Sequence, residues 1–486
     1  MPTSRRAPLA QASLSTGGRG ARRAGGPRGL QAGRHGGEEA VRGNEAGNPT
    51  NDIKTKLNRI IRQTNNNSST KLPLIEGDHK LGYAYANVKT HKEGHPLRPI
   101  ISQTPSVTYK LAKRLNELIT PFTPASFNLK STIEFLDLLK TTRPSNIMAS
   151  MDVESLFTNV PVDKTTDLIC QRIYHLENEE PLNIPEASLR LLLQACTKEV
   201  PFYGPDGKMY VQRDGVAMGS PLGVLFANFY MGSIEERLFA RHPQLKPQIY
   251  ARYVDDIFIS VGTVSHINEL ITEFKNDSCL NFTQEIEQNK KLPFLDTMVH
   301  REDTSFSTEV YVKATNFGFC LNGASECPER YRRSVISAFV KRALTHTSVW
   351  AAANTELKRV SQLLANNGYP QQEIDDGIKR RLDNFMSPEP KEKDPSRIIL
   401  YYKNTMSSEY KEDEKTLKKI IHKNVTPTNP DTKLDLIIFH KSRKTANLIM
   451  RNSCLPPTSP LQEKPAINIQ QQPDTSLLTK RQRAPS

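Results

Sequence analysis

The 486-residue sequence has few cysteines and no long apolar run. Its six cysteines are scattered, whereas a small secreted scaffold held by disulfides is dense in cysteine. This excludes a disulfide framework and indicates a reducing, intracellular setting. The longest apolar runs are short stretches such as residues 436–439, while a membrane-spanning helix needs about 20 apolar residues. The N-terminus also lacks the apolar segment of a secretory signal, so we expect neither membrane insertion nor secretion.

The charge balance is strongly positive. Lys and Arg total 66 against 52 Asp and Glu, which gives a formal net charge of +14. Residues 1–50 contribute +5 through eight arginines and three glutamates, and they hold eleven of the 25 glycines. That leader has almost no large apolar side chain and is predicted to be disordered. The other +9 lies on the rest of the chain, which indicates a polyanionic partner, nucleic acid before membrane surface.

Residues 248–261, QIYARYVDDIFISV, place two adjacent carboxylates inside an apolar and aromatic run. Aspartate is unfavourable within strands, so Asp255 and Asp256 predict the tip of a tight β-hairpin. An ordinary hairpin turn would use Asn-Gly or Asp-Gly to supply a positive φ. Two carboxylates without glycine favour instead a site for Mg²⁺, which binds hard oxygen ligands together with substrate phosphates.

A third carboxylate follows another apolar run, in residues 146–157, NIMASMDVESLF. The pattern predicts a strand that ends at Asp152 and turns into a helix. If Asp152 and Asp255 end neighbouring strands, three carboxylates can hold two Mg²⁺ ions ~3.5–4 Å apart. For either segment alone, an acid that merely caps a strand is a fair alternative.

Residues 214–230, DGVAMGSPLGVLFANFY, lie between these acids and are punctuated by glycine. Ser220 and Pro221 are start signals for a helix. Gly219 allows close backbone approach to a ligand. A loop that leads into a helix beside the acids suits the binding of a template–primer.

Taken in order, these segments resemble the palm of reverse transcriptases. The whole set is similar to the Penelope-like retroelement reverse transcriptases, relatives of the telomerase catalytic subunit. YVDD alone recurs by chance, whereas the ordered set is specific and covers roughly residues 50–455. The matching blocks are KTHK at 89–92, RPIIS at 98–102, DVESLFTNVP at 152–161, GVAMGSPLGVLFANFY at 215–230, YVDD at 253–256, LPFLD at 292–296, and CLNG with SECP at 320–328.

The resemblance implies a role for each matching residue. Asp152 and Asp255 match the two catalytic aspartates, with the Val153 backbone as a further metal ligand, and Asp256 matches the more tolerant neighbour. Phe157 matches the bulky residue that clashes with a ribose 2′-OH. The remaining implied substrate-binding residues are Lys89 and Arg98, which reach the incoming triphosphate, Gly219, Ser220 and Pro221, which help to position the templating pair, and Lys291 or Lys290, which assists pyrophosphate departure.

The implied fold is α+β, a right-hand polymerase with fingers, palm and thumb and an antiparallel sheet at the active site. The expected segments are the leader at 1–50, an N-terminal extension with fingers at 51–145, the palm at 146–300, a helical thumb at 301–385, a basic linker at 386–454 and a disordered tail at 455–486.

The implied function is RNA-directed DNA polymerase of a Penelope-like retrotransposon, a nucleotidyltransferase that uses two Mg²⁺ ions (or Mn²⁺). Its expected partners are an RNA template, a DNA primer and dNTPs, and its expected location is nuclear. Most relatives continue into a GIY-YIG endonuclease, which is not recognised here, and Ala314 stands where the family commonly has Pro. Because of these departures, the alternative is a catalytically inactive retroelement relic that binds nucleic acid.

The sequence fits two other polymerase classes less well. A telomerase-like polymerase needs a dedicated RNA-binding domain, for which the region before residue 80 is too short. An RNA-dependent RNA polymerase needs a small or hydrogen-bonding residue in place of Phe157.

Overall fold

The computed structural model describes residues 49–89, 94–175, 182–387, 397–405, 409–427 and 432–441, with the backbone of two short strands at 14–15 and 38–40. Most of the expected leader, residues 90–92 of the KTHK block, the end of the expected linker and the expected tail lie outside these residues. No helix within the described ranges is both long and apolar enough to cross a membrane.

The described helices alternate with strands along most of the chain. The helices are α1 (Thr50–Asn66), α2 (Tyr109–Ile119), α3 (Thr132–Thr141), α4 (Leu156–Asn159), α5 (Val162–Cys170), α6 (Glu186–Thr197), α7 (Gly223–Arg241), α8 (Val264–Asp277), α9 (Glu329–His346), α10 (Trp350–Asn366), α11 (Gln371–Met386) and α12 (Tyr410–Asn424). Short 3₁₀ turns at Thr120–Phe122 and Pro243–Leu245 and a π-helical turn at Gln171–His175 extend this set.

The strands form four separate sheets. They are β1 (Leu14–Ser15), β2 (Glu38–Ala40), β3 (Gly82–Val88), β4 (Leu97–Ser102), β5 (Ile147–Val153), β6 (Pro201–Tyr203), β7 (Met209–Gln212), β8 (Ile249–Tyr253), β9 (Asp256–Val261), β10 (Phe282–Ile286), β11 (Lys291–Phe294), β12 (Thr297–Arg301), β13 (Phe306–Val310), β14 (Arg397–Thr405) and β15 (Lys433–Lys441). The sheet orders are β1-β2-β7-β6-β3-β4, β10-β5-β9-β8, β11-β12-β13 and the parallel pair β14-β15.

The sheet β10-β5-β9-β8 is antiparallel throughout and is covered on both faces. Successive strand residues point to opposite faces. Ala149, Met151 and Ile257 therefore join the large helical core, while Met148 and Phe258 join a second core with α3 and the β11–β13 sheet. Burial of both faces explains why β5 and β9 read as near-continuous apolar runs rather than as alternating ones. Asp152 and Asp256 lie at the ends of β5 and β9, where these apolar runs stop.

The described residues fall into two compact units. The first comprises the described parts of Met1–Cys320 and Ile336–Phe385, and the second those of Leu321–Val335 and Met386–Ser486. The second unit holds β14, α12 and β15, a parallel strand–helix–strand arrangement. Within it, Arg330 donates to the Glu414 carboxylate at 2.6 Å and to the Ile438 carbonyl at 2.6 Å. The described residues thus show the mixed helix and strand content expected for an α+β protein.

The apolar stripe predicted for residues 335–344 forms the inner face of α9. Ile336, Val340 and Leu344 are buried, and Val360 and Leu364 of α10 are buried too. α10 ends at Asn366, and Gly368 follows with a φ of +82°, the helix stop that the sequence predicts. α11 follows as a third helix of this region.

Candidate active site

The two adjacent aspartates lie at a two-residue hairpin turn, as the sequence predicts. Val254 and Asp255 form the turn between β8 and β9, and Asp256 is the first residue of β9. Val254 has a φ of +60°. A β-branched residue in this left-handed region is a genuine outlier, so the surrounding structure must hold it there.

Strand pairing brings Asp152 to this turn. In the antiparallel β5–β9 pair, Asp152 is the direct partner of Asp256. Side chains of directly opposed residues share one face of a sheet, with Cβ atoms about 4.5–5.5 Å apart. The backbone N–H of Val153 donates to the Asp255 carbonyl at 3.1 Å. The end of β5 and the hairpin turn are therefore fixed against each other.

The neighbouring carboxylates contribute to a raised pKa at Asp256. Removal from water, then the Asp255 carboxylate and then the Asp152 carboxylate raise the pKa of Asp256 to about 6, and the Lys313 ammonium acts in the opposite direction. Burial likewise raises the pKa of Asp255, which its own backbone N–H, Arg98 and Lys89 oppose. The site is thus a concentration of negative charge, with cations from other segments around it.

This negative charge fits a divalent cation. Aspartate oxygens are the hard ligands that Mg²⁺ prefers, and Mg²⁺ is usually held by one or two carboxylates plus substrate phosphates. The pairing of Asp152 with Asp256 supplies two such groups on one face. Within the described residues, no group of three or more His, Cys, Asp or Glu side chains is arranged to hold a metal ion. The structure thus sets Asp152 opposite Asp256 and holds Asp255 in the adjoining turn.

Lys89 and Arg98 lie at the loop end of the β3–β4 hairpin. The N–H of Lys89 donates to the Pro96 carbonyl at 2.9 Å, and Asn87 pairs with Arg98 across the two strands. Arg98 is exposed to solvent. The positive charges of Arg98 and Lys89 oppose the burial that raises the pKa of Asp255.

The loop before α7 connects this hairpin to the palm. The N–H of Ile101 in β4 donates to the Met218 carbonyl at 3.0 Å. Gly219 has a φ of +122°, and a Cβ atom there would lie 2.5 Å from the Ile101 carbonyl oxygen. Only glycine fits this position. Ser220 and Pro221 form the turn that follows, and α7 begins at Gly223, two residues later than the start signals suggest.

Phe157 lies on the short helix α4, which follows β5 directly. Its ring is partly buried and packs against the main core. A Cβ atom at Gly223 would lie 3.4 Å from the ring, and the Phe157 carbonyl accepts from the Val216 N–H at 2.7 Å. Phe157 is thus fixed against the loop before α7 and the start of that helix.

Lys290 and Lys291 lie in and after the turn between β10 and β11. Lys290 has a φ of +61° and forms an exposed ion pair with Asp303 at 3.3 Å. Lys291 is exposed, and in the antiparallel β11–β12 pair it lies opposite His300 of β12. The choice between them stays open, and the lysine whose charge acts on Asp256 is a third one, Lys313.

A buried charge cluster supports the turn, and sequence reasoning missed it. Arg252 and Glu235 are 0% and 1% exposed and form an ion pair, with Nε to Oε1 at 2.6 Å and Nη2 to Oε2 at 3.1 Å. Arg252 Nη1 also donates to Asn228 Oδ1 at 2.8 Å and to the Val254 carbonyl at 3.0 Å. Tyr250 Oη donates to Glu235 at 2.8 Å. A lone arginine in the apolar segment IYARYV was the available signal, whereas Glu235 is followed directly by Glu236 and does not stand out in α7.

Two family models match the sequence. One, described as reverse transcriptase (RNA-dependent DNA polymerase), matches residues 90–294. Residues 90–294 thus carry a segment that is similar to reverse transcriptase domains. Together with the antiparallel sheet that holds Asp152 and Asp256, the match confirms the expected right-hand polymerase fold.

The second model is described as animal helix-turn-helix domain and matches residues 319–379. This range covers α9, α10 and the first half of α11, where the sequence predicts a thumb. The sequence reading did not recognise this domain. No curated protein matches the chain.

Several solved structures are similar at low identity. The apo telomerase of Candida tropicalis truncated from its C-terminal domain is 12% identical, with 53% of this chain and 60% of that chain covered and a TM-score of 0.36. The telomerase of Candida albicans in complex with the TWJ fragment of telomeric RNA is 9% identical, with 69% and 68% covered and a TM-score of 0.38. The Sicinivirus 3Dpol RNA-dependent RNA polymerase is 12% identical, with 64% and 69% covered and a TM-score of 0.40.

The chain thus spans less than two thirds of the truncated telomerase. Similarities at these TM-scores are too weak to indicate a function.

Proposed function

We propose that the chain is the reverse transcriptase of a Penelope-like retroelement, which extends a DNA primer along an RNA template in the nucleus. The observation that supports this most is the register of β5 against β9. It sets Asp152 opposite Asp256 at the turn that holds Asp255. The reverse transcriptase domain match and the ordered sequence blocks support the same conclusion.

In the proposed reaction, the primer 3′-hydroxyl attacks the α-phosphorus of a dNTP. A bond forms between O3′ and that phosphorus, the bond to the bridging oxygen breaks, and pyrophosphate leaves. Two bound Mg²⁺ (or Mn²⁺) ions supply Lewis-acid stabilisation of the attacking and leaving oxygens. Asp152, Asp255 and Asp256, with the backbone at Val153, would hold these ions.

Other side chains of the site act on the substrate. Lys89 and Arg98 lie on the hairpin that faces Asp255, where their charges suit the triphosphate. Gly219, Ser220 and Pro221 lie on the loop before α7, which packs against the same hairpin at Ile101. Phe157 stands beside that loop, where a ring would exclude a 2′-hydroxyl. Lys291 is proposed to assist departure of pyrophosphate.

Primer extension on an RNA template, with dNTPs and rNTPs compared side by side, tests the proposal. We expect the DNA primer to lengthen with dNTPs and Mg²⁺ and to remain unextended with rNTPs. A protein that binds template–primer but never extends it would support the inactive relic instead. Extension with rNTPs would indicate an RNA polymerase.

A further inference from the structure

The peptide units on both sides of Asp255 are held by hydrogen bonds. The Val254 carbonyl, in the unit before Asp255, accepts from Arg252 Nη1 at 3.0 Å. The Asp255 carbonyl, in the unit after it, accepts from the Val153 N–H at 3.1 Å. Because a peptide unit is planar, a contact that fixes its carbonyl restricts the whole unit. One side chain and one strand backbone therefore set the direction in which the Asp255 side chain leaves the turn.

The unit before Asp255 needs such a contact. Val254 is the first residue of the two-residue loop between β8 and β9, and its φ is +60°. Loop positions with a positive φ usually hold glycine, asparagine or aspartate. A β-branched residue is strained there and keeps this conformation only where its surroundings impose it. The guanidinium of Arg252 is a group that imposes it from outside the loop.

Arg252 is itself fixed at its backbone and at its side chain. Its N–H donates to the Phe127 carbonyl at 2.8 Å, and its carbonyl accepts from the Leu129 N–H at 2.7 Å. Its side chain is fully buried and donates to both carboxylate oxygens of Glu235, at 2.6 and 3.1 Å. A planar guanidinium bound in this way has one geometry in which all its contacts are made. The contact at Val254 therefore comes from a rigidly held group.

We infer that Arg252 is a positioning residue for Asp255, which orients that carboxylate towards a divalent cation through the Val254 carbonyl. The inference rests on the proposed polymerase function. The hydrogen bonds of the Arg252 side chain go to Glu235, Asn228 and Val254, so its contact with the site runs through the backbone of the turn. Groups that orient a metal ligand without touching the metal change metal affinity or activity by about 10–100-fold when they are replaced.

Mn²⁺ binding to the full-length protein, followed by EPR titration without nucleic acid, tests the inference apart from catalysis. The binding that Asp255→Asn removes defines the signal from this site. Arg252→Lys keeps a positive charge beside Glu235 but lacks the fork that reaches Val254 at the same time. We expect its Kd for Mn²⁺ to rise about 10–100-fold. The kcat of primer extension should fall by a similar factor, with an unchanged Kd for template–primer.

A second variant covers the case in which Arg252→Lys folds poorly. The triple variant Arg252→Met/Glu235→Leu/Tyr250→Phe replaces the buried charges and the hydroxyl beside them with apolar groups. Replacing a buried ion pair in this way is often neutral for stability. We expect a Tm near that of the wild-type protein and the same loss of Mn²⁺ affinity.

Two controls separate positioning from a purely structural role. Tyr250→Phe removes the hydroxyl that donates to Glu235 at 2.8 Å and leaves the contact between Arg252 and Val254 in place. It should lower the Tm and leave the Kd for Mn²⁺ unchanged. Arg172→Lys makes the matched substitution in the partly buried pair with Glu236 of α7, whose Nη1 to Oε2 distance is 3.0 Å. It should leave the Kd for Mn²⁺ and kcat unchanged.

A folded Arg252→Lys or triple variant that binds Mn²⁺ as tightly as the wild-type protein overturns the inference. So does a Tyr250→Phe protein that loses as much Mn²⁺ affinity as Arg252→Lys, since stability alone would then explain both. If the wild-type protein extends primers while these variants bind Mn²⁺ normally, only this inference fails. A wild-type protein that neither binds Mn²⁺ at Asp255 nor extends primers contradicts the proposed function and this inference with it.

Discussion

Arg252 forms a fully buried ion pair with Glu235, and the same guanidinium donates to the carbonyl of Val254. Val254 is the turn residue with a φ of +60°, directly before Asp255. The pair therefore links α7 to the one strained position of the hairpin. Every polar partner of the guanidinium lies on α7 or on the turn. Loss of the charge of Arg252 or of Glu235 would therefore free α7 and the turn from each other.

Glu235→Gln tests how much the buried ion pair contributes to stability. Removing one partner leaves the Arg252 charge buried and uncompensated, which typically costs about 3–5 kcal/mol. We expect the free energy of unfolding, measured by urea denaturation, to fall by that amount. Asp137→Asn, which breaks the exposed pair with Lys140 at 2.8 Å, should cost about 0–1 kcal/mol. Equal effects of the two substitutions would mean that the buried pair has no special role.

Gly219→Ala should uncouple the β3–β4 hairpin from the loop before α7. The new Cβ atom would lie 2.5 Å from the Ile101 carbonyl oxygen, at a φ of +122°. A displacement of about 1 Å near reacting groups can lower the rate on the order of 10²-fold. Gly77→Ala is the matched control, because Gly77 has a φ of +79° but nothing within 4 Å of a Cβ atom. Steady-state extension rates that are equal in the two variants would contradict this role for Gly219.

Phe157→Ala should admit ribonucleotides. The ring is partly buried and lies against Gly223 at the start of α7, so its removal opens space there and leaves every carboxylate in place. The ratio of kcat/KM for a dNTP to that for the matching rNTP should fall. Phe157→Tyr keeps the ring and should keep the ratio. If the alanine variant discriminates as well as the wild-type protein does, Phe157 is an ordinary core residue.

The pH dependence of stability without metal reports on Asp256. Its pKa is about 6 in the folded protein, against an ordinary value of 3.8. A raised pKa stabilises the fold while the group is protonated, and this contribution is lost as the pH rises through about 6. In EDTA, the Tm of Asp256→Asn minus the Tm of the wild-type protein should therefore increase as the pH rises from 4 to 7. Added Mg²⁺ should remove the difference, and a gap that is constant across this range would contradict the assignment.

The sequence predicted the segments of the site better than their assembly. Asp152 at a strand end and Asp255 at a hairpin turn follow from local apolar patterns, and both lie there in the structure. The direct pairing of Asp152 with Asp256, rather than with Asp255, depends on strand register, which the two patterns leave open. Val254 at positive φ has no local signal, because valine disfavours that conformation.

Long-range partners were the least accessible to sequence reasoning. Lys313 lies 57 positions from Asp256, and its charge acts there only because the chain returns after β13. The pairing of Arg252 with Glu235 likewise needs α7 packed behind β8. The prediction of helices in the thumb region was correct for α9 and α10, but the match of residues 319–379 to a helix-turn-helix domain was not foreseen.

Primer extension by wild-type protein and Asp255→Asn, on an RNA template with a DNA primer and dNTPs, tests the central claim most directly. Asparagine preserves the shape of the turn and removes one carboxylate charge. We predict extension by the wild-type protein, loss on the order of 10³-fold or more in the variant, and an unchanged Kd for template–primer. Extension by Asp255→Asn at the wild-type rate would contradict the account.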